Sequence, residues 1–239
     1  MSFGNSVSFG NTVFKKVALL GCPMLFASVL MSCSQTTSSS DASGTLSIGI
    51  SNGGQQLASA SNSGSVNVIT YTSIKVILGR ISIKSANGLD SLDFRQDTPL
   101  ITTLNLDTTI QDIGSISIPP GTYDETRFRI AKLDSADAML YTDNVDMRDI
   151  SIRADGYLNG FVDSVFVWTT SLNVKQVHKF TPVTIAAGDT VRLVFEFDVS
   201  QWFSDGAGGR LDPRMALTTG SVQSQIENNV KAAFRVYQN

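Results

Sequence analysis

The sequence predicts an all-β protein, an antiparallel β-sandwich of about ten strands with one short C-terminal helix. Three observations lead to this fold class. Several segments alternate apolar and polar residues with a period of two, which is typical of half-buried strands. Turn-forming residues separate those segments at short intervals. No helical run stands between them, which argues against the parallel sheets of βαβ folds.

The first strand is predicted over residues 44–50, which carry apolar side chains at every second position. A longer strand follows within residues 65–85. Its apolar positions slip by one residue at Gly79-Arg80, and a slip beside a glycine predicts a β-bulge. Asn87-Gly88 predicts a tight hairpin turn, because both residues tolerate positive φ, and Phe94 would lie on the return strand.

Residues 161–169 carry apolar side chains on both faces, and this pattern predicts a central strand. The clearest alternation runs from Val191 to Val199. There we expect Phe195 and Phe197 to face the core and Glu196 to face outwards, because a slip of one residue would expose the whole apolar set. Shorter strands are predicted at 100–106, 115–118, 126–133, 150–152 and 180–185.

A C-terminal helix is predicted from Ser221 to about Val230, since apolar residues recur there at intervals of four. Ser221 is the predicted N-cap, because its side-chain oxygen suits the first free N–H groups of a helix. The alternation of Ala232, Phe234 and Val236 leaves a closing strand as the alternative for the last residues.

The N-terminus has the parts of a secretory signal peptide: Lys15 and Lys16, an apolar run, and a small residue before Cys33. It resembles the bacterial lipoprotein signal, in which the cysteine is lipidated on its thiol and becomes the new N-terminus. We therefore predict a signal peptide over 1–32 and a lipid anchor at Cys33. One alternative is processing at Cys22, which leaves too short an apolar core. The other is a plain signal peptide or an uncleaved membrane anchor, and for an anchor the apolar run is shorter than a spanning helix needs.

Residues 33–43 contain no hydrophobic residue larger than alanine after Cys33. Such a segment buries too little apolar surface to offset its ordering entropy, and we predict a flexible polar tether leading to one β-sandwich domain at 44–239. Ser34 follows the cysteine where inner-membrane lipoproteins have aspartate, which by resemblance to the enterobacterial sorting rule favours the outer membrane. The sequence does not choose between a periplasm-facing and a surface-exposed orientation.

Charge and cysteine content exclude several function classes. Removal of Lys15 and Lys16 with the signal peptide leaves 16 basic residues against 21 acidic ones, a net charge of −5. Long basic runs are missing from this acidic chain, and so it is not expected to bind nucleic acid. Cys33 would be the last cysteine of the mature chain. A disulfide, a thiolate nucleophile and a cysteine-bound zinc are therefore not expected.

Four segments, taken together, resemble a family of uncharacterised bacterial lipoprotein domains, a domain of unknown function. They are Gly44-Thr-Leu-Ser-Ile48, Leu104-Asn-Leu-Asp107, Pro120-Gly-Thr-Tyr123 with the following Arg127-Phe-Arg-Ile130, and the stretch from Phe197 to Phe203. The resemblance implies a β-sandwich and no known chemistry.

Candidate catalytic and metal-binding residues are few. His178 is the single histidine and lies on a predicted strand without a serine-nucleophile motif elsewhere in the chain. Asp143, Asp146 and Asp149 recur at intervals of three, and oxygen-rich loops of this kind can bind calcium. Their spacing differs from the usual calcium loop, and a solvated turn is the alternative. We predict no catalytic residue, no metal site and no cofactor.

The two tryptophans are candidates for stacking against sugars. Trp168 lies in the most apolar predicted strand, which favours a place in the core. Trp202 follows a strand end beside a glycine-rich loop, where either ligand stacking or packing under the loop is expected.

Three functions fit these features. The first is a non-enzymatic, lipid-anchored module of the cell envelope that binds a glycan or protein partner. The second is a structural subunit of a surface assembly, similar to fimbrillin-type lipoproteins, in which a neighbour completes an edge strand. The third is an envelope hydrolase. An exposed tryptophan on a flat face would favour the first, an apolar sheet edge the second, and two facing carboxylates the third.

Overall fold

The computed structural model describes residues 43–54, 68–88 and 94–239. The chain divides after Ser38 into two units, and every described residue belongs to the second, Ser39–Asn239. Cys33 and most of the predicted tether therefore lie outside the described residues, and the lipid anchor stays a prediction. None of the helices in the described ranges is long and apolar enough to cross a bilayer.

The described residues form a β-sandwich of two sheets, which confirms the predicted fold class. The strands are β1 (Gly44–Asn52), β2 (Ile69–Ser85), β3 (Phe94–Gln96), β4 (Leu100–Thr103), β5 (Gln111–Ile118), β6 (Gly121–Ile130), β7 (Ile152–Leu158), β8 (Val165–Thr170), β9 (Val174–Ile185), β10 (Thr190–Phe197) and β11 (Phe234–Gln238). The helices are α1 (Ala138–Asp143) and α2 (Gly220–Ala232).

One sheet has four strands in the order β11-β10-β1-β5, and the other has seven. The seven-stranded sheet follows the order β8-β7-β2-β6-β9, with β3 and β4 also paired to β2. Most pairs are antiparallel, as predicted, but β1 and β10 run parallel. These strands are remote in sequence, and so no hairpin turn dictates their relative direction.

The predicted β-bulge in β2 is present. The pairing of β2 with β6 passes from Leu78 directly to Ile81, so that Gly79 and Arg80 together oppose the single residue Arg129. Apolar residues on both sides of the bulge therefore point into the same core. The predicted return strand is β3, in which Phe94 pairs with Ile83.

The inner faces of both sheets supply the main core. Phe195 and Phe197 are almost fully buried, as predicted, and the Phe195 ring meets Phe128 edge to face with centroids 4.9 Å apart. Val194, on the opposite side of β10, is also buried because Ile110 and Gly49 lie against that side. β10 is therefore covered on both faces in its middle.

The prediction of a central strand at 161–169 is wrong. The strand is β8, which begins only at Val165 and lies at the end of the seven-stranded order. Phe161 and Val162 belong to a turn closed by a 2.8 Å bond from Ser164 N–H to the Phe161 carbonyl, and their exposed fractions are 68% and 70%. An apolar pattern on both faces predicts burial, but here the outer face of β8 has no covering element within the described residues.

The C-terminal helix and the closing strand both exist. α2 ends at Ala232 and β11 starts at Phe234, so that the two patterns act in succession. The helix begins at Gly220, and its N-cap is Thr219 rather than Ser221. The Thr219 side chain makes no capping hydrogen bond, so side-chain chemistry does not decide where α2 begins.

A second, small core lies on the outer face of the seven-stranded sheet. Ile77 faces away from the main core and packs with Leu133 and Met147, which belong to the segment between β6 and β7. All three are at most 1% exposed. This segment, which includes α1 and which the sequence pattern did not reveal, covers the outer face of β2 at Ile77, before the bulge. We call it the cap segment, residues 133–150.

Candidate functional site

An open groove lies on the outer face of the seven-stranded sheet, beside the cap segment. It has a volume of about 650 Å³. The second half of β2 forms its middle, with β3 on one side and β6 and β9 on the other. The residues that line it are Arg80, Ser82, Lys84, Phe94, Arg95, Arg127, Phe128, Arg129, Asn173 and Lys175. We call it the cationic groove.

The β-bulge sets which side chains of β2 reach the groove. After Gly79-Arg80, the isoleucines Ile81 and Ile83 face the core, and so the alternate residues face outwards. Gly79 itself lies close to β6, because a Cβ there would sit 3.2 Å from the Arg129 carbonyl oxygen. The glycine therefore permits the close approach that brings the β6 arginines beside β2.

Strand register brings two arginines to opposite sides of a small floor residue. Ser82 pairs with Arg95 on β3 and with Arg127 on β6. Because neighbouring strands are about 4.8 Å apart, the two arginine backbones stand roughly 10 Å from each other across Ser82. The serine side chain is short, so the space between the two guanidinium groups stays open above the sheet.

Each of the four groove arginines is held through its Nε atom. Asp97 Oδ1 accepts from Arg80 Nε at 2.6 Å and from Arg95 Nε at 2.8 Å. On β6, Glu125 accepts from Arg127 Nε, and Asn173 Oδ1 accepts from Arg129 Nε at 2.7 Å. These bonds orient the guanidinium planes, and the terminal amino groups make no hydrogen bond to any residue within the described ranges.

The groove concentrates positive charge in an acidic chain. Six cationic side chains line it; Asp97 pairs with Arg80 and Arg95, and Glu125 pairs with Arg127. The groove is therefore more cationic than the chain as a whole, whose net charge is −3. The bond from Arg95, with the one from Arg80, lowers the pKa of Asp97, which keeps this carboxylate ionised.

This arrangement is suited to binding anions. Arginine presents a planar fork of donors that matches carboxylate, phosphate and sulfate oxygens, and preorganised forks lose less entropy on binding. Asp97 and Glu125 are each bonded to groove arginines. Phe94 also borders the groove, although it pairs with the inward-facing Ile83 and packs against the main core.

His178 lies on β9, where its ring stacks on Phe128 with centroids 5.6 Å apart. Burial lowers the pKa of the imidazole, so the neutral form is favoured. Its Nε2 atom is buried and has no hydrogen-bond partner among the residues described. The environment is that of a packed aromatic residue between the sheets.

The structure does not gather Asp143, Asp146 and Asp149 around one point. Lys75 Nζ binds Asp146 Oδ2 at 2.6 Å, and this bond lowers the pKa of Asp146. Asp149 Oδ2 accepts a hydrogen bond from Tyr141 at 3.0 Å. In the part of the chain that the structure describes, no group of three or more histidine, cysteine or carboxylate side chains is placed to hold a metal.

Both tryptophans are buried in the core, with relative exposures of 0%. Trp168 donates from Nε1 to Gln223 Oε1 at 2.9 Å, and its ring lies 6.4 Å from that of Trp202. The interpretation of Trp202 as a sugar-stacking platform is therefore wrong, because its ring is buried in the main core beside Trp168. Asn229 on α2 bonds to the Trp202 carbonyl at 3.1 Å, which joins the helix to this segment.

Sequence reasoning missed the cationic groove. Its residues extend from Arg80 to Lys175 and never form a basic run. The sequence did indicate that Arg80 and Lys84 occupy polar positions of one alternating strand, and that Arg127 and Arg129 occupy those of another. Only the order of strands in the sheet places these two pairs side by side.

Comparisons with known proteins give little further guidance. No protein-family model matches the chain, and no curated protein matches it. The resemblance to the lipoprotein domain family therefore stays a prediction. Among solved structures, the chain is similar to MbnP from Methylosinus trichosporium, with 10% sequence identity and a TM-score of 0.36. The similarity covers 82% of this chain and 98% of that one.

Proposed function

We propose that this protein is a lipid-anchored lipoprotein of the cell envelope whose β-sandwich binds an anionic glycan in the cationic groove. The observation that carries the proposal is the set of four arginines held through Nε around the groove. The lipid anchor at Cys33 rests on the N-terminal sequence pattern, with the outer membrane as the favoured location. The role is non-enzymatic binding.

An acidic sugar polymer fits the groove in charge and in shape. An open groove admits a chain that continues beyond both ends, whereas a closed pocket would select a small molecule. Carboxylate or phosphate groups would bond to the arginine forks. The serine floor leaves room for a sugar ring between Arg95 and Arg127.

Binding is tested with full-length protein in neutral detergent micelles, with immobilised heparin as an acidic glycan and dextran as a neutral one. We expect salt-sensitive binding to heparin alone. The double variant Arg127→Gln/Arg129→Gln should weaken it at least about tenfold, because each charged hydrogen bond contributes on the order of 1.5–3 kcal/mol. The matched control Arg192→Gln/Arg235→Gln removes two arginines from the four-stranded sheet and should leave binding nearly unchanged. Equal losses of heparin affinity in both variants would show that heparin binds through nonspecific charge and not through the cationic groove.

The lipid anchor has its own test. Intact-mass measurement of membrane-extracted protein should give a chain that begins at Cys33 and carries added acyl mass. Cys33→Ala should release the protein from membranes or leave it as the precursor. A mature N-terminus elsewhere, or a chain without acyl mass, would refute the anchor.

A second candidate is a structural subunit of a surface assembly. The observation in its favour is the apolar outer face of β8 and the turn before it, where Val165 and Val167 are 65% and 46% exposed beside Phe161 and Val162. A neighbouring subunit would cover these side chains. Concentration-dependent assembly that Val165→Lys abolishes would support this candidate, and a monomer at all concentrations would exclude it.

A further inference from the structure

The predicted tether joins the sandwich at one identifiable end. The Ser43 carbonyl accepts a hydrogen bond from Gly188 at 3.1 Å, and the Ser43 hydroxyl accepts one from Ser117 at 2.6 Å. Gly188 lies in the turn between β9 and β10, and Ser117 is the penultimate residue of β5. The tether therefore enters beside the β9–β10 turn and the last residues of β5. We call this the tether end.

The second half of β2 runs towards the same end. Ala86, directly after β2, donates a hydrogen bond to the Thr122 carbonyl at 2.9 Å, and the neighbouring Gly121 pairs with Ile185 beside the β9–β10 turn. The first residues of β2 lie at the opposite end, where Asn159 donates to the Val68 carbonyl at 2.8 Å. The cationic groove, on the last residues of β2, is therefore in the half of the sheet nearer the tether.

The distances allow the groove to reach the membrane that holds the anchor. From Gly121 to Arg127 is six residues of strand, or roughly 20 Å. From Cys33 to Ser43 is ten residues, which span at most about 35 Å when fully extended. The tether is thus longer than the distance from the tether end to the groove, and the sandwich can lie with this sheet face against the lipid headgroups.

We infer that the anionic ligand of the cationic groove is the phosphorylated headgroup of a glycolipid in the same membrane as the anchor. The inference rests on the proposed anion binding and on the Cys33 anchor. The cationic groove would face a negative surface, whereas the chain as a whole carries a net charge of −3. A bilayer with anionic lipids would therefore orient the domain with the cationic groove facing the membrane.

The test measures protection of individual arginines in the mature, acylated full chain after insertion into vesicles. A dicarbonyl reagent that modifies guanidinium groups is applied, and mass spectrometry gives the rate at each arginine. Four samples are compared. The vesicles contain phosphatidylcholine alone, phosphatidylcholine with phosphatidylglycerol, or phosphatidylcholine with lipid A. The fourth sample has phosphatidylcholine vesicles with soluble heparin added to the solution. Arg192, on the four-stranded sheet, is the internal control.

We expect lipid A to slow modification of Arg127 and Arg129 by about fivefold or more, the factor that one cation contributes at an anionic surface. Arg192 should react at the same rate in every sample. In the variant Arg127→Gln/Arg129→Gln, the protection of Arg80 and Arg95 by lipid A should disappear. Protection by phosphatidylglycerol equal to that by lipid A would show that phosphate alone is recognised, which overturns the glycolipid assignment.

The remaining outcomes separate this inference from the proposed function. Protection by soluble heparin without protection by lipid A would overturn the membrane headgroup as ligand and leave glycan binding intact. Equal reactivity of the groove arginines in all four samples would overturn both.

Discussion

The outer face of the seven-stranded sheet has two halves with opposite surroundings. Along the first half of β2, the cap segment buries Ile77 against Leu133 and Met147. Along the second half, Arg80, Ser82 and Lys84 face the cationic groove. The same strand therefore contributes to a dry apolar contact and, a few residues later, to a charged open surface.

The division coincides with the β-bulge and with the residues that follow it. Directly before the bulge, the outward position is the apolar Ile77, and burying it requires a covering element. After the bulge, the outward positions are polar or charged, and covering them would require a partner for each. The cap segment therefore marks where this face serves stability, and the uncovered half is where we place binding.

The largest expected effect is on the covered half. Ile77→Ala should lower the free energy of unfolding by about 2–5 kcal/mol, because it leaves a cavity between the sheet and the cap segment. Arg129→Ala, on the open half, should change it by no more than about 0.5 kcal/mol. Denaturant melts of the full chain measure both variants. Similar changes in the free energy of unfolding for the two variants would show that the covered and open halves do not differ in their contribution to stability.

The next effect concerns ligand binding on the open half. Ser82→Glu places a carboxylate between Arg95 and Arg127, where it would occupy both guanidinium forks. We expect heparin affinity to fall by about tenfold or more, as for the loss of one charged hydrogen bond. Ser82→Gln, which is similar in size and uncharged, is the matched control and should bind more tightly than Ser82→Glu. If the two variants bind alike, occupation of the groove rather than its charge controls affinity.

A smaller effect is expected at the edge of the cap segment, where Lys75 pairs with Asp146. The pKa of Asp146 is lowered from its ordinary 3.8, chiefly by the hydrogen bond from Lys75. The pair therefore stabilises the fold above the unfolded-state pKa, and this contribution is lost as pH falls through the folded-state value. Asp146→Asn should cost at most about 1 kcal/mol at neutral pH. It should also flatten the acid limb of stability against pH. Asp143→Asn, an exposed neighbour, is the control and should do neither.

The smallest effect expected is that of chelation. Because Lys75 and Tyr141 already bind Asp146 and Asp149, EDTA should leave the melting temperature of the full chain unchanged. Added calcium should not raise it. A fall of many degrees on chelation would show that oxygen ligands in this part of the cap segment hold a structural cation.

Local patterns predicted much of the sandwich. The bulge at Gly79-Arg80, the burial of Phe195 and Phe197 and the existence of α2 follow from the positions of apolar residues along the chain. The same reasoning placed residues 161–169 in the centre of a sheet, whereas β8 stands at its edge. A hydrophobic pattern states which side chains would gain from burial, but it does not state whether another element is there to bury them.

The sequence by itself determined the strand-rich fold class, the phase of each clear strand and the lipoprotein-like leader as an expectation. Tertiary structure alone decided that β1 runs parallel to β10, that Trp202 is buried, and that arginines from β2, β3 and β6 surround one groove. The physical reason is the distance along the chain between the residues that interact. Periodicity and turn chemistry act between residues a few positions apart, whereas strand order and register join residues such as Arg80 and Arg129, whose proximity no local pattern encodes.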